Sequence, residues 1–252
     1  MTHTAGEPPD VAASEQAYFD RYVTDHGDFN PFAARGWETL ARRFREMADP
    51  RPDARLLDIG CGTGHSHAIY AGAVGSYLGV DLSPAAVEMA RTAFPHDEWQ
   101  VADACDLPFM DESFDVVAFS SVLHHIPDFP RAVREARRVL RPDGVAFAFD
   151  PNLLHPAMAL FRHPASPGYI PEGVSPNERP LLPTTLARAF RRAGFSRLRQ
   201  RGQSDIPYRK VAPKRLNAAL SAYNVADWVW ERVGLGLVFG TFVLTCGRKR
   251  AR

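Results

Sequence analysis

Leu56-Leu57-Asp58-Ile59-Gly60-Cys61-Gly62-Thr63-Gly64-His65 decides how this chain folds. A short apolar run stops at glycines in three alternate positions, 60, 62 and 64. The pattern reads as a buried strand that ends in a turn too tight for side chains, with a helix opening beyond it. Amide groups at such a helix start are unpaired, so they favour an electron-rich or anionic ligand. A second apolar run, Ser76-Tyr77-Leu78-Gly79-Val80, ends in Asp81, 21 residues after Gly60. A carboxylate in that place can accept from both hydroxyls of a ribose. Together the two runs describe a site for a ligand that carries a nucleoside.

Spacing separates the candidate ligands. A dinucleotide turn needs small residues at its first, third and sixth positions. Those positions hold Gly60, Gly62 and His65, so the last one argues against a nicotinamide oxidoreductase. Asp58, Gly60, Gly62 and Gly64 instead resemble the Asp-x-Gly-x-Gly-x-Gly motif of the class I S-adenosylmethionine-dependent methyltransferases. Further matches follow in the order of that family. Gly79-Val80-Asp81-Leu82-Ser83-Pro84 is similar to its ribose-binding turn, and Val101-Ala102-Asp103-Ala104 to its acidic turn after the third strand. Ser113 to Phe119 resembles the fourth strand, and Arg138 to Gly144 the turn before the fifth. The close resemblance covers residues 52–150.

That resemblance implies an α/β fold, a Rossmann-like doubly wound sheet of seven strands in the order 3-2-1-4-5-7-6, with the last strand antiparallel. It implies S-adenosyl-L-methionine as cofactor and S-adenosyl-L-homocysteine as product. Asp81 would hold the ribose hydroxyls, Leu82 would lie on an adenine face, Asp103 would accept from the adenine amino group, and Ala104 would offer its backbone amide. Asp58, Gly60, Cys61, Gly62, Gly64 and Ser120 complete the candidate cofactor set, with Cys61 a small filler in the turn.

Strand and helix signals alternate outward from the turn: strand 56–59, helix 63–73, strand 75–80, helix 84–94, strands 98–102 and 114–119, helix 129–140, strand 144–150. Nearly continuous apolar strands between helices predict a parallel sheet covered on both faces. Residues 1–15 read as a loose tail and residues 16–252 as a single domain. Within it, 16–50 form a helical cap, 51–150 the cofactor core, and 184–252 the closing helices and strands. Between Pro151 and Pro183 eight prolines interrupt the rhythm, so 151–183 is expected to be a substrate lid rather than a regular element. Beyond it come a helix at 184–193, a strand from Phe195 to Gly202, a helix at 212–232 and a last strand within Val233–Cys246.

Composition narrows the partners. Thirty Lys and Arg against 29 Asp and Glu give a net charge of +1, which argues against a nucleic-acid binder. The apolar stretch Val233–Cys246 is too short for a membrane span, which takes roughly 20 residues. Three scattered cysteines exclude a disulfide framework or zinc site and suit a reducing cytoplasm. No secretory signal is expected at the N-terminus. The partner is then a small-molecule acceptor, met by a monomer or homodimer.

Methyl transfer asks the protein to align acceptor and methyl group and to remove a proton. His124 and His125, after the fourth strand, are the candidate bases, because imidazole accepts a proton at neutral pH. Tyr18 and Tyr22 in the cap, beside Phe19, and Asp150 and Asn152 at the end of the fifth strand are candidate acceptor contacts. Asp150-Pro151-Asn152 lacks a second acidic ligand, so no metal is expected. The loop after the fourth strand carries neither the Asn/Asp-Pro-Pro-Tyr/Phe motif of DNA base methylation nor the paired glutamates of protein-arginine methylation. A small, largely apolar acceptor of the quinone, polyketide or lipid kind remains, methylated at oxygen or carbon. Two rival readings keep the pocket: a non-methylating reaction supported by the bound sulfonium, and an inactive accessory subunit.

Overall fold

The computed structural model describes residues 11–28, 30–209 and 218–250. Seven strands, β1 (Arg55–Ile59), β2 (Ser76–Asp81), β3 (Glu98–Val101), β4 (Phe114–Ser120), β5 (Leu140–Pro151), β6 (Phe195–Gln203) and β7 (Phe242–Lys249), form one sheet. Their order is β3-β2-β1-β4-β5-β7-β6, the order implied by the family motifs. All neighbours are parallel except β7, which runs antiparallel to both β5 and β6.

Strand side chains alternate between two buried clusters. In β4, Val116 and Ala118 join one cluster while Val117 and Phe119 join the other. The same alternation in β5 sends Phe147 and Phe149 to one face and Ala146 and Ala148 to the opposite one. A sheet buried on both faces requires helices on both. The face of Phe147 is covered by Leu40, Phe44 and Met47 of α2 (Ala34–Ala48) and by Val87 and Ala90 of α4 (Pro84–Ala93). The other is covered by α5 (Phe129–Val139), whose Ala132, Val133, Ala136 and Val139 recur at helical spacing, and by α6 (Pro183–Arg192). Two helix starts follow ordinary capping chemistry. Ser83 Oγ accepts from Ala86 N and Asp128 Oδ1 from Arg131 N, each with a proline in the first turn.

Several expected elements differ. The helix expected at 63–73 shrinks to α3 (His67–Tyr70), preceded by turns. Gly64 has φ +91°, a left-handed conformation that a right-handed helix cannot contain. The tail expected over 1–15 is overturned at its C-terminal end, since α1 (Val11–His26) begins at Val11 and Glu15 is buried; residues 1–10 lie outside the described residues. The last strand begins only at Phe242. Residues before it form α8 (Gly236–Phe239), and Asn152 Nδ2 donates to Val238 O and Gly240 O, holding them out of the sheet. Of the helix expected at 212–232, α7 (Leu220–Arg232) is present, and residues 210–217 lie outside the described residues.

The insert after β5 is closed at its neck, where Leu181 N donates to Pro151 O and Leu153 N to Leu181 O. Its one regular piece is a turn of π-helix, Met158–Arg162. Among the described residues, no helix is long and apolar enough to cross a membrane.

Candidate active site

Below the glycine turn lies a buried carboxylate. Asp58 is fully buried and accepts from Ser66 Oγ at 2.6 Å, Tyr77 OH at 2.7 Å and Ser120 Oγ at 2.5 Å. These bonds tie β1 to β2, to β4 and to the segment after the turn. Burial outweighs them and pushes the carboxyl up to about 6. Gly60 and Gly62 have φ +76° and +52°. A Cβ on Gly60 would lie 2.4 Å from that of Val122, so the loop after β4 packs directly on the turn.

Asp81 stands at the end of β2, with Oδ2 accepting from Gly62 N at 2.8 Å and Oδ1 from Ser83 N at 3.0 Å. Burial raises its pKa, and these N–H donors oppose the rise. Asp103 Oδ1 accepts from Cys105 N at 2.8 Å, turning the chain after β3. The turn is also tied to the cap: His65 Nε2 lies 2.9 Å from Asp28 Oδ2, and Ser83 Oγ donates to Asp20 Oδ1 of α1 at 2.5 Å.

These carboxyl ends of the strands surround a cavity of about 360 Å³. Gly60, Cys61, Gly62, Asp81, Leu82, Asp103, Ala104 and Ser120 line one side. Glu15, Phe19, Val23, Phe32, Trp37 and Phe149 line another, and His125 stands between the two sets. Four carboxylates (Glu15, Asp81, Asp103 and Asp128) face the cavity, while no lysine or arginine does among the described residues.

Other candidates named from the sequence lie elsewhere. Asp58 and Gly64 do not line the cavity; Asp58 braces the turn from below, and Gly64 packs against Phe94 and Ala90. Tyr18 and Tyr22 stack on each other at 6.3 Å, and it is Phe19 between them that reaches the cavity. Asp150 is fully buried and meets no acceptor: its Oδ1 lies 2.9 Å from His124 Nδ1. Burial pushes that carboxyl up to about 8. Burial, then the like charge of His125, lowers the pKa of His124, so the pair is held uncharged at neutral pH. Asn152 is also fully buried, spending its amide on Val238 O, Gly240 O and Leu154 N. Asp150 ties the loop after β4 to β5, and Asn152 fastens α8 and the residue after it to the neck of the insert.

His125 is placed differently from His124. Its Nδ1 is 3.0 Å from Glu15 Oε1 and 2.8 Å from Ser175 Oγ, and Phe19 meets its ring edge-on at 5.2 Å. Ser175 Oγ also donates to Glu15 Oε1, and Asn177 Nδ2 to Glu15 Oε2 at 2.9 Å. Burial would raise the carboxyl of Glu15, but bonds from His125 and Ser175, the His125 charge and Asn177 together hold it below its ordinary 4.5. Sequence reasoning missed Glu15, Ser175 and Asn177, which carry no local motif. The helical spacing of Tyr18, Phe19 and Tyr22, extended by one turn toward the N-terminus, was the one signal that α1 reached Glu15.

A family model described as "Methyltransferase domain" matches residues 57–148. The chain is 30% identical over 236 residues to the nocamycin O-methyltransferase of Saccharothrix syringae, a match covering 84% of this chain and 80% of that one. The chain belongs to the class I S-adenosylmethionine-dependent methyltransferases. A further member of the family, the demethylmenaquinone methyltransferase of Symbiobacterium thermophilum, is 32% identical over 151 residues, 55% of this chain. That match spans 60% of the relative's length. The cyclase SpnF superposes over 98% of this chain and 100% of its own with a TM-score of 0.64 at 18% identity, a likeness of fold. The family's cofactor suits the residues present: two cavity-lining glycines at positive φ leave backbone bare, and Asp81 and Asp103 face the space beside them.

Proposed function

We propose that this chain transfers the methyl group of S-adenosyl-L-methionine to a hydroxyl oxygen of a small, largely apolar acceptor that carries no negative charge. The observation that carries this reading is the arrangement of Glu15, Ser175 and His125 at a cavity walled by Phe19, Phe32, Trp37 and Phe149, with four carboxylates and, among the described residues, no lysine or arginine. An anionic acceptor would meet like charge there and find no counter-ion. The nocamycin O-methyltransferase, similar over most of both chains, supports oxygen as the methylated atom.

When bound, the cofactor supplies a methyl group already activated by its sulfonium centre, so the protein's contributions are alignment and proton removal. Asp81 and Asp103 are placed to accept from sugar and purine donors, and the bare backbone of Gly62, with nothing among the described residues within 4 Å of where its Cβ would lie, leaves room beside them. Glu15, ionised at neutral pH, accepts from His125 Nδ1–H and so selects the tautomer whose Nε2 carries the lone pair. His125 Nε2 then takes the proton of an acceptor hydroxyl held against the aromatic wall. His124, uncharged and outside the cavity, serves as backing for that ring, 3.9 Å away between centroids. The insert delivers Ser175 to His125, a contact that supports its reading as a substrate lid.

Calorimetric titration with S-adenosyl-L-methionine tests the reading, with Asp81→Ala as the variant. Wild type should bind and the variant should lose about tenfold or more in affinity, the loss of one charge-assisted hydrogen-bond acceptor. Release of S-adenosyl-L-homocysteine on addition of uncharged phenols and enols, with the product gaining one methyl mass, separates methylation from a cyclisation or elimination. Absence of cofactor binding by the wild type ends the proposal.

A further inference from the structure

A second recess, of about 330 Å³, lies at the edge of the sheet opposite the cavity. Its walls come from Asp111 and Glu112 before β4, from the C-terminal half of α5, and from the ends of α6 and β7. β4 and β5 start at this edge, Phe114 beside Leu140, and their other ends reach the cavity. β4 is seven residues long, so roughly 20 Å separates the two openings. A ligand held here is therefore neither the cofactor nor the methyl acceptor.

The recess is strongly cationic. Arg134, Arg137, Arg138, Arg192, Lys249 and Arg250 line it, against two acids, Asp111 and Glu112. Both acids are spent: Asp111 Oδ1 accepts from Arg138 at 2.9 Å, and Glu112 Oε1 lies 3.4 Å from Lys249 Nζ. Arg134, Arg137, Arg192 and Arg250 have no acidic partner among the described residues. Helix ends attract cations, and both α5 and α6 finish here. Each C-terminus presents about half a negative charge, so two of them account for about one cation and not four. Nor do these side chains cap the helices, since Arg134, Arg137 and Arg192 bond no terminal carbonyl among the described residues. Arg134 also stands three and four residues before Arg137 and Arg138, a like-charge spacing that weakens a helix. The folded chain gains nothing from this crowding unless an anion relieves it.

Two buried groups distinguish the recess from a solvated fringe. Lys249 is 6% exposed, and its ammonium gives one proton to Leu140 O at 2.6 Å and one to Glu112, leaving a third. Arg137 Nε is buried and has no partner, a state that is costly unless something accepts from it. Gly194, at φ +90°, makes room for that guanidinium: a Cβ there would stand 3.0 Å from Nε.

The cations also indicate the ligand. Guanidinium forks match the paired oxygens of phosphate, and four free cations exceed what a single carboxylate balances. A di- or triphosphate gathers several negative charges within one small group. No aromatic side chain lines the recess among the described residues, so a nucleobase finds no ring to stack on. We propose that this recess binds the di- or triphosphate group of a soluble metabolite, reading the phosphate chain and not what it is attached to.

Titration calorimetry of the full chain with sodium tripolyphosphate, in buffer free of phosphate and cofactor, tests the proposal. Binding should saturate at one site, and nucleoside triphosphates should match it closely whichever base they carry. Sulfate at equal ionic strength should bind about tenfold more weakly. The double variant Arg134→Gln, Arg192→Gln should lose about tenfold or more in affinity. Without ligand it should melt no lower than wild type, because neither side chain gives up an ion pair among the described residues. Arg137→Gln, which removes the buried Nε–H, should lose as much affinity. Arg42→Gln with Arg91→Gln removes the same charge from exposed positions elsewhere and should bind as wild type does. Absence of saturable binding, an equal loss in that control pair, or binding to phosphoinositide vesicles without binding to free tripolyphosphate overturns the proposal. Tripolyphosphate binding without cofactor binding refutes only the methyl transfer, and the reverse refutes only this site.

Discussion

Asp58→Asn probes a carboxylate that the fold retains against its own stability. The group is fully buried under the glycine turn and holds three hydroxyls. Burial, reinforced by the nearby charge of Asp81, lifts its pKa from 3.8 to about 6 despite those bonds. A rise of about two units corresponds to roughly 3 kcal/mol. Because the folded value is the higher one, the stability linked to this proton is complete below 3.8 and is lost as pH climbs through about 6. Asparagine is isosteric with the protonated acid. Its carbonyl can accept from Ser66 and Tyr77, and its NH₂ can donate to Ser120, which bonds onward to Tyr70 OH at 2.8 Å. The variant should therefore match wild type near pH 4 and exceed it by about 2–3 kcal/mol near pH 8. For a chain of this length that is an increase in Tm of about 5–10 °C. Urea unfolding of both proteins at the two pH values isolates the effect, since other titrating groups cancel in the difference. A stability difference that does not change with pH would refute the argument. The same substitution should weaken cofactor binding, because Ser66 and Ser120 lose their charged anchor beside the cavity.

Gly60→Ala and Gly62→Ala should diverge although they are two residues apart. At position 60 the added methyl enters Val122 at 2.4 Å, so melting should fall by about 2–4 kcal/mol; at 62 nothing among the described residues lies within 4 Å, so stability should fall by only about 1–2 kcal/mol while cofactor affinity drops in calorimetry. Equal melting of the two variants would contradict this. Glu15→Gln keeps shape but removes the charge beside His125, so kcat should fall about 10- to 100-fold with KM little changed, measured as S-adenosyl-L-homocysteine release. Glu15 is held below 4.5, so its stabilisation is present above that value and is lost as pH falls through the lower folded value; melting curves at descending pH should show this loss in wild type and not in the variant.

Much of the core was legible because its information is local. Alternating apolar runs and caps such as Ser83-Pro84 constrain a few neighbouring residues, and α4 and α5 end within a residue of expectation. Errors arose where a backbone conformation or a distant partner overrode the local pattern. Gly64 at φ +91° shortened the first crossover helix, and Asn152 drew Val238 and Gly240 out of a run that reads as strand. Asp150 and Asn152 sit at the reactive edge in sequence, yet the His124 side chain engages the first and the backbone carbonyls of Val238 and Gly240 the second. Periodicity singled out Tyr18, Phe19 and Tyr22 alike, and the rotation of α1 gave the cavity Phe19 together with Glu15.

The amino-acid order by itself determined the alternation of strands and helices and the glycine turn, because each is set by residues close along the chain; the strand order and the roles of Asp81 and Asp103 were implied by the family that the motifs resemble. Tertiary structure alone decided which histidine faces the cavity. Glu15 lies 110 residues from His125 and Ser175 lies 50, and nothing in either segment announces that they meet. It also decided that α7 turns Asp227 and Glu231 inward and Trp228 outward, since a helix's polarity is fixed by the partners it finds. Hydrogen bonds to Thr241, Asp205 and Arg201, not hydropathy, chose that face.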